Sequence, residues 1–247
     1  YKVNIQKVVG NTEVIFHEIQ FDSRKVTLND VFVAVDGADK DGHQFIKDAV
    51  DQGALIIICE KLPDKRINGV NYVQVDNSRS ALAQIASNYY DQPSEKLKLI
   101  GVTGTNGKTT VCTLLHQLFT DAGYDAGLIS TVAVKIGQNE IATNLTTPDS
   151  LTINKYLAMM LDTGISYAFM EVSSHGIDQG RSHGLAFDIA AFTNLSQDHL
   201  DYHKTFAKYR DTKKKLFDQL PKTSTAITNA DDKNGHYMLQ NSHAEKI

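Results

Sequence analysis

The segment LKLIGV (97–102) reads as an apolar strand that runs directly into GTNGKTT (104–110), after which VCTLLHQLFTDAG (111–123) carries a helical pattern closed by Gly123. No other feature constrains the fold as much. Glycines let a backbone approach a polyphosphate closely, and the first N–H groups of a helix have no partner within it. Lys108 adds a positive charge, and the Thr109 hydroxyl can complete a magnesium shell. Gly104, Thr105, Asn106, Gly107, Lys108 and Thr109 therefore predict a nucleotide-triphosphate cradle. The general phosphate loop has a glycine six residues before its lysine, whereas Val102 stands there, so this is not the commonest version. The competing reading, a glycine-rich turn with an exposed lysine, lacks a reason for the strand-to-helix setting.

Beyond the loop, strand patterns AGLIS (126–130), YAFMEV (167–172), FDIAAFTNL (187–195) and TAITN (225–229) are separated by helical stretches at 150–163 and 202–217. Strands joined through helices imply crossover connections and a mainly parallel sheet. Upstream, VFVAV (31–35), FIKDAVDQGA (45–54), LIIIC (55–59), YVQV (72–75) and SRSALAQIASNYY (78–90) predict a smaller α/β unit. Asp76, Asn77 and Ser78 are candidate caps for its last helix, whose Leu82, Ile85, Ala86 and Tyr89 recur at helical spacing. Asp91-Gln92-Pro93-Ser94 then marks a boundary, because proline disfavours helix at the residue before it. The fold class is α/β: a small N-terminal domain (1–93), then a phosphate-loop domain with a mainly parallel sheet (94–247).

Composition excludes several function classes. Lys and Arg total 25 against 29 Asp and Glu, a formal charge of −4, so nothing attracts a nucleic-acid backbone generally and no nucleic-acid partner is expected. Apolar residues at 41% and charged ones at 22% argue against disorder. The longest apolar stretch, ALIIIC (54–59), is too short to span a bilayer, and no signal peptide is visible. Cys59 and Cys112 have no metal-type spacing and are expected to be reduced, buried thiols, which fits the cytoplasm. The stretch opens on Tyr1 and ends in HAEKI without a helix or strand stop, as an excerpt of a longer protein would.

Two downstream residues suit cation chemistry. Glu171 follows the strand in MEVSSHG (170–176) and His199 follows another in NLSQDHLDYH (194–203), and ligands of open α/β sheets bind at such carboxyl ends. Together they can serve magnesium ions that bridge nucleotide and substrate; singly, each is as readily a capping or surface residue. His116, His236 and His243 are read as ordinary histidines. In helix 202–217, Tyr202, Phe206, Tyr209, Lys213 and Leu216 or Phe217 fall at steps of three or four, so Lys213 lies on the apolar stripe while Lys214 and Lys215 point away. Either its stem lies along the stripe with the head in water, or it meets carboxylates or phosphates or is chemically modified.

GTNGKTT, MEVSSHG, NLSQDHLDYH, the lysine helix and TNADD (228–232) stand in the order found in the Mur ligases, which this chain resembles along nearly its whole length. These are ATP-dependent amide ligases of peptidoglycan precursor synthesis in the cytoplasm, with folylpolyglutamate synthase among their relatives. DSRKV (22–26), DVFVAVDG (30–37), DGHQF (41–45), NLTTPDS (144–150) and HGIDQGR (175–181) are similar to the branch that adds the third amino acid. The resemblance implies that Phe21, Ser23, His43, Gln44 and Phe45 hold the UDP end of the substrate in the first domain. It likewise implies that Thr146, Thr147, Ser173, Gln179 and Arg181 hold its sugar and peptide, Arg181 by its planar fork. Residues Thr105 to Val111, Thr110 included, would grip ATP phosphates, with Asn229 and Asp232 near the adenosine. Thr109, Glu171 and His199 would serve Mg2+, and Lys213 matches the lysine that carbon dioxide converts to a carboxylated anion joining the metal cluster. Catalytic roles thus fall to Lys108, Glu171, His199 and Lys213.

The implied reaction adds a diamino acid, diaminopimelate or lysine, to UDP-N-acetylmuramoyl-L-alanyl-D-glutamate through an acyl phosphate. Family members also carry a longer central domain and a third domain that binds the diamino acid, so residues 1–247 alone are expected not to complete the ligation. A monomer without membrane partners is expected. Alternatives are the D-Ala-D-Ala-adding branch, the folate relative, or a nucleotide-binding module without ligase chemistry; DSRKV and DGHQF favour a UDP-sugar peptide over folate. Asn29-Asp30 stands where relatives commonly show Gly-Asp, a turn difference expected to be harmless.

Overall fold

A computed structural model describes residues 3–11, 13–37 and 40–247 of the chain, which form two compact units, Tyr1–Asn88 and Tyr89–Ile247. In the first, β1 (Ile5–Val9), β2 (Ile19–Gln20), β3 (Val31–Val33), α1 (Ile46–Asp51), β4 (Ile56–Cys59), β5 (Asn71–Val75) and α2 (Ser78–Tyr89) follow in order. The sheet runs β1-β5-β4-β3-β2, parallel except for the antiparallel edge strand β1. Phe32, Ile57 and Tyr72 from its central strands close the core against Ile46 and Ala49 of α1. The helical pattern at 45–54 resolves into a 3-10 turn, Gly42–Phe45, capped by Asp41, and the shorter α1. Asn29 sits at φ 66, a left-handed conformation that asparagine tolerates and glycine takes without strain.

The second unit contains β6 (Lys98–Thr103), α3 (Lys108–Asp121), β7 (Ala126–Ile129), β8 (Val134–Ile136), β9 (Asn139–Ile141), α4 (Ser150–Asp162) and β10 (Tyr167–Glu171). It continues with α5 (Ser174–Asp178), β11 (Ile189–Phe192), α6 (Leu200–His203), α7 (Phe206–Asp218), β12 (Thr225–Thr228), α8 (Gly235–Leu239) and β13 (Glu245–Lys246). Strand order is β13-β12-β11-β6-β10-β7-β8-β9, parallel up to β7, with β8 and β9 an antiparallel hairpin at the edge. The mainly parallel sheet read from the sequence is therefore present.

Both sheet faces are covered, and strand alternation decides what each residue meets. On β10, Ala168 and Met170 join the cluster with Leu157, Phe192 and Phe217, while Phe169 joins the opposite cluster with Cys112 of α3. Glu171, two residues on from Phe169, consequently faces α3 and its first turn. Cys59 and Cys112 are free and buried, and burial pushes the Cys59 thiol up to about 11 and that of Cys112 higher still.

Two readings of the helix at 202–217 need correction. It is broken: α6 ends at His203, Lys204 takes φ 67, and the Thr205 side chain caps α7 by accepting from Lys208 N at 3.2 Å. The periodic stripe ran past this cap, a start signal inside what looked like one helix. Lys214, read as pointing away from the stripe, is nonetheless buried: it is 5% exposed, paired with Asp218 and 5.8 Å from the Tyr237 ring of α8. Lys215 is exposed, as its position on the helix predicts. Among the described residues no helix is long and apolar enough to cross a membrane.

Candidate functional site

Gly104 to Gly107 link β6 to α3, with Gly104 at φ 151 and Gly107 at φ 85, backbone that side chains disfavour. A Cβ on Gly104 would collide with Thr193 Oγ1, because the segment after β11 lies directly against the loop. Asn194 fastens the two together: its carbonyl accepts from Thr105 N at 2.8 Å, its Oδ1 from Asn106 N at 3.1 Å, and its Nδ2 donates to Asn106 O at 3.1 Å. Thr193 Oγ1 donates to Asn106 O at 2.7 Å as well. Lys108 Nζ reaches back to the carbonyls of Gly104 and Thr105, each at 2.9 Å.

Lys213 is 1% exposed, and its Nζ donates to the same Gly104 carbonyl at 2.8 Å. Its head therefore lies at the loop rather than in water. Burial first, and the neighbouring Lys108 second, push this amine down to about 7 against the opposing attraction of Asp198. Lys108 is lowered too, again by burial first, against the attraction of Glu171 and Asp198.

Glu171 is 1% exposed and, among the described residues, has no ion pair. Its Oε2 accepts from Thr109 Oγ1 at 2.9 Å and from Thr131 Oγ1 at 3.2 Å, and its Oε1 from Thr131 N at 2.8 Å. No group of three or more His, Cys, Asp or Glu side chains close enough to hold a metal occurs among the described residues. That donor set still suits Mg2+, a hard cation that takes one or two carboxylates and keeps other positions for water and phosphate: a buried carboxylate without a cation touches a hydroxyl of the phosphate loop. His199 caps α6 at φ 53 and is half exposed, with Nε2 3.5 Å from Asp198 and its ring 4.8 Å from His175 and 6.0 Å from Tyr209. It shares no direct bond with Glu171.

The residues expected to hold sugar and peptide adjoin Glu171. Thr147 Oγ1 donates to Glu171 O at 2.9 Å and accepts from Ser173 N at 2.9 Å, while Thr131 Oγ1, its own proton directed to Glu171, lies 3.0 Å from the Thr146 hydroxyl. The Arg181 fork donates to Gln179 Oε1, at 3.0 and 2.6 Å, and to Thr147 O at 2.6 Å. Asn229 and Asp232 both brace the segment after β11: Asn229 Nδ2 donates to Thr193 O at 2.9 Å and Asp232 Oδ2 accepts from Leu195 N at 2.7 Å. Burial alone would raise Asp232, but the amides of Leu195 and Asn234 outweigh it and hold the carboxyl below its usual range.

In the first unit, Ser23 opens a 3-10 turn capped by Asp22, Phe21 and Gln44 are exposed, and Phe45 is half-buried. Both His43 nitrogens are engaged: Nδ1 lies 2.6 Å from Asp41 Oδ1, and Nε2 accepts from Glu60 N at 2.9 Å. The partners assign a neutral ring that shapes the DGHQF turn.

Sequence reasoning missed Asn194 and Tyr209. Asn194 lies within a quoted motif, but its partners are 88 residues away, and no local pattern signals such a clamp. Residues 102–247 match the Mur ligase middle domain, and residues 15–90 match the Mur ligase family, catalytic domain. The chain is 47% identical over 243 residues to the UDP-N-acetylmuramoyl-L-alanyl-D-glutamate--2,6-diaminopimelate ligase of Phocaeicola vulgatus, covering 98% of this chain and 50% of that protein. Against the enzyme of the same name from Cytophaga hutchinsonii, identity is 49% over 246 residues, covering 99% and 51%. A solved structure of a ligase so named superposes with a TM-score of 0.80 at 30% identity, covering 94% of this chain and 48% of that one. The chain thus spans about half the length of the curated relatives it matches. With matching family models over both units, the chain belongs to the Mur ligase family.

Proposed function

We propose that this chain carries the sugar-nucleotide and ATP portions of a cytoplasmic ligase that joins diaminopimelate to UDP-N-acetylmuramoyl-L-alanyl-D-glutamate in peptidoglycan precursor synthesis. The observation that carries the reading is the buried Glu171 carboxylate bonded to Thr109 at the helix end of the loop, 2.9 Å away. Diaminopimelate is chosen because the relatives at 47% and 49% identity are named for it.

In this reading residues 1–93 take the UDP end, through Phe21, Ser23, Gln44, Phe45 and a turn shaped by His43, and residues 94–247 take ATP. Lys108 exchanges two loop carbonyls for phosphate oxygens, while the amides from Gly107 to Thr110 and the Thr110 hydroxyl face the same anion; the Val111 amide is already spent on Gly107 O at 2.9 Å, as the first bond of α3. Asn229 and Asp232 hold the wall near the adenosine. Thr146, Thr147, Ser173, Gln179 and Arg181 orient the muramoyl peptide next to Glu171. The γ-carboxylate of its D-glutamate attacks the ATP γ-phosphorus, ADP leaves, and an acyl phosphate forms. The amine of the diamino acid then attacks the acyl carbon, loses a proton and expels inorganic phosphate. A free carboxylate is a poor electrophile, so ATP supplies the leaving group, and the protein contributes chiefly positioning and charge neutralisation. Thr109, Glu171 and His199 would hold Mg2+, which when bound neutralises charge on the phosphates.

Lys213 is read as a carbamate. Burial leaves much of its amine neutral near pH 7, and a neutral amine adds to carbon dioxide with loss of one proton, turning a buried cation into an anion able to join the metal. With 13C-labelled bicarbonate, a carbamate carbon resonance is expected that Lys213→Arg removes. Calorimetry with UDP-N-acetylmuramoyl-L-alanyl-D-glutamate tests the function itself. Saturable binding is expected; no binding by a folded sample overturns the ligase reading in favour of a bare nucleotide-binding module.

A further inference from the structure

We infer that Tyr209 is a positioning residue for the phosphate loop, its hydroxyl holding Thr105, and through Thr105 the bend at residues 104–107, in the shape that admits a triphosphate. This rests on the ATP reading above. Tyr209 is 0% exposed, and its Oη lies 3.0 Å from Thr105 Oγ1. That hydroxyl is already the centre of a small lattice: it donates to Ser196 O at 3.2 Å and accepts from Ser196 N at 3.0 Å. With its own proton directed to Ser196, Thr105 Oγ1 has a lone pair left for the buried tyrosine O–H, which has no other acceptor among the described residues. One face of the ring lies beneath Lys213, with Nζ 4.7 Å from the centroid, and Lys213 in turn grips Gly104 O. Rings of His199 and His203 stand 6.0 and 5.3 Å away. A single side chain of α7 thus fastens one loop residue by its hydroxyl and supports the lysine that fastens the preceding one.

A fully buried phenol is usually explained as core packing, and Tyr209→Phe separates the two explanations because it keeps the ring. The readout is the preference of the chain for Mg-ATP over AMP, measured by calorimetry. A residue acting through the phosphate loop changes binding of the β- and γ-phosphates, whereas general loosening weakens both nucleotides alike. Tyr209→Phe is expected to lower the ATP-to-AMP preference about tenfold while AMP binding holds. Thr105→Val removes the other end of the same bond, so the double variant should lose little beyond either single one. An unchanged preference in Tyr209→Phe, or additive losses in the double variant, overturns the inference while ATP binding by the parent chain stands. A parent chain with no preference for ATP overturns the ATP reading and this inference with it. Should Tyr209→Phe fail to fold, Thr105→Val alone decides: wild-type preference in that variant rejects the role.

Discussion

Single residues at the loop were legible to the extent that their chemistry is local. Gly104, Lys108 and Thr109 announce themselves by type and spacing, but the reason Gly104 must be glycine comes from Thr193, a residue remote in sequence whose Oγ1 occupies the space of a Cβ. Gly104→Ala is therefore expected to lower stability by about 1–3 kcal/mol, through strain and displaced packing, and to weaken ATP binding more than AMP binding; calorimetric titration checks both. Lys213 offers a pH test with a definite sign. Its folded-state value is about 7 against 10.5 for the ordinary group, so between those limits the unfolded chain holds a proton that the folded chain lacks. Stability then rises with pH across that window, and below it the buried cation penalises the fold in full. Lys213→Met, measured by scanning calorimetry in buffer free of carbon dioxide, should exceed the parent in melting temperature most below pH 7 and lose that advantage towards pH 10.5. An advantage independent of pH would mean that the amine is not held at a lowered value.

At the scale of elements, long periodic segments were readable and short ones were not. The strand at 97–102 and the helices at 78–90 and 150–163 appear as β6, α2 and α4 with small shifts at the ends. The β8–β9 hairpin has three residues in each strand, and α5 and α8 five each, too few for a period to show. The break between α6 and α7 was missed for another reason: apolar spacing continued across it, while the deciding signals were the Thr205 cap and the backbone of Lys204. Those two residues make opposite predictions. Thr205→Ala removes the hydroxyl that accepts from Lys208 N and should cost about 1 kcal/mol, whereas Lys204→Gly relieves φ 67 and should gain up to about 1 kcal/mol. Urea unfolding curves with unchanged slope would read both; a stabilised Thr205→Ala would contradict the cap.

For the whole chain, each unit closes its own core. Phe32, Ile57 and Tyr72 fill one; Leu157, Met170 and Phe217, with Phe169 and Cys112 on the opposite sheet face, fill the other. This separation gives the two-ligand reading a consequence that sequence similarity cannot supply. Ligand that binds only the folded form of a unit stabilises that unit by about 2.7 kcal/mol at a hundred times its dissociation constant. Amide hydrogen exchange localises the effect, because slow exchange in central strands reports opening of the core around them. UDP should slow exchange in Val31–Val33 and Ile56–Cys59, and Mg-ATP in Lys98–Thr103 and Tyr167–Glu171. If UDP instead protected the strands beside the phosphate loop and left β3 and β4 unchanged, residues 1–93 would not be the sugar-nucleotide domain. The assignment of Phe21, Ser23, His43, Gln44 and Phe45 would then fall, while the phosphate loop and its carboxylate kept their reading.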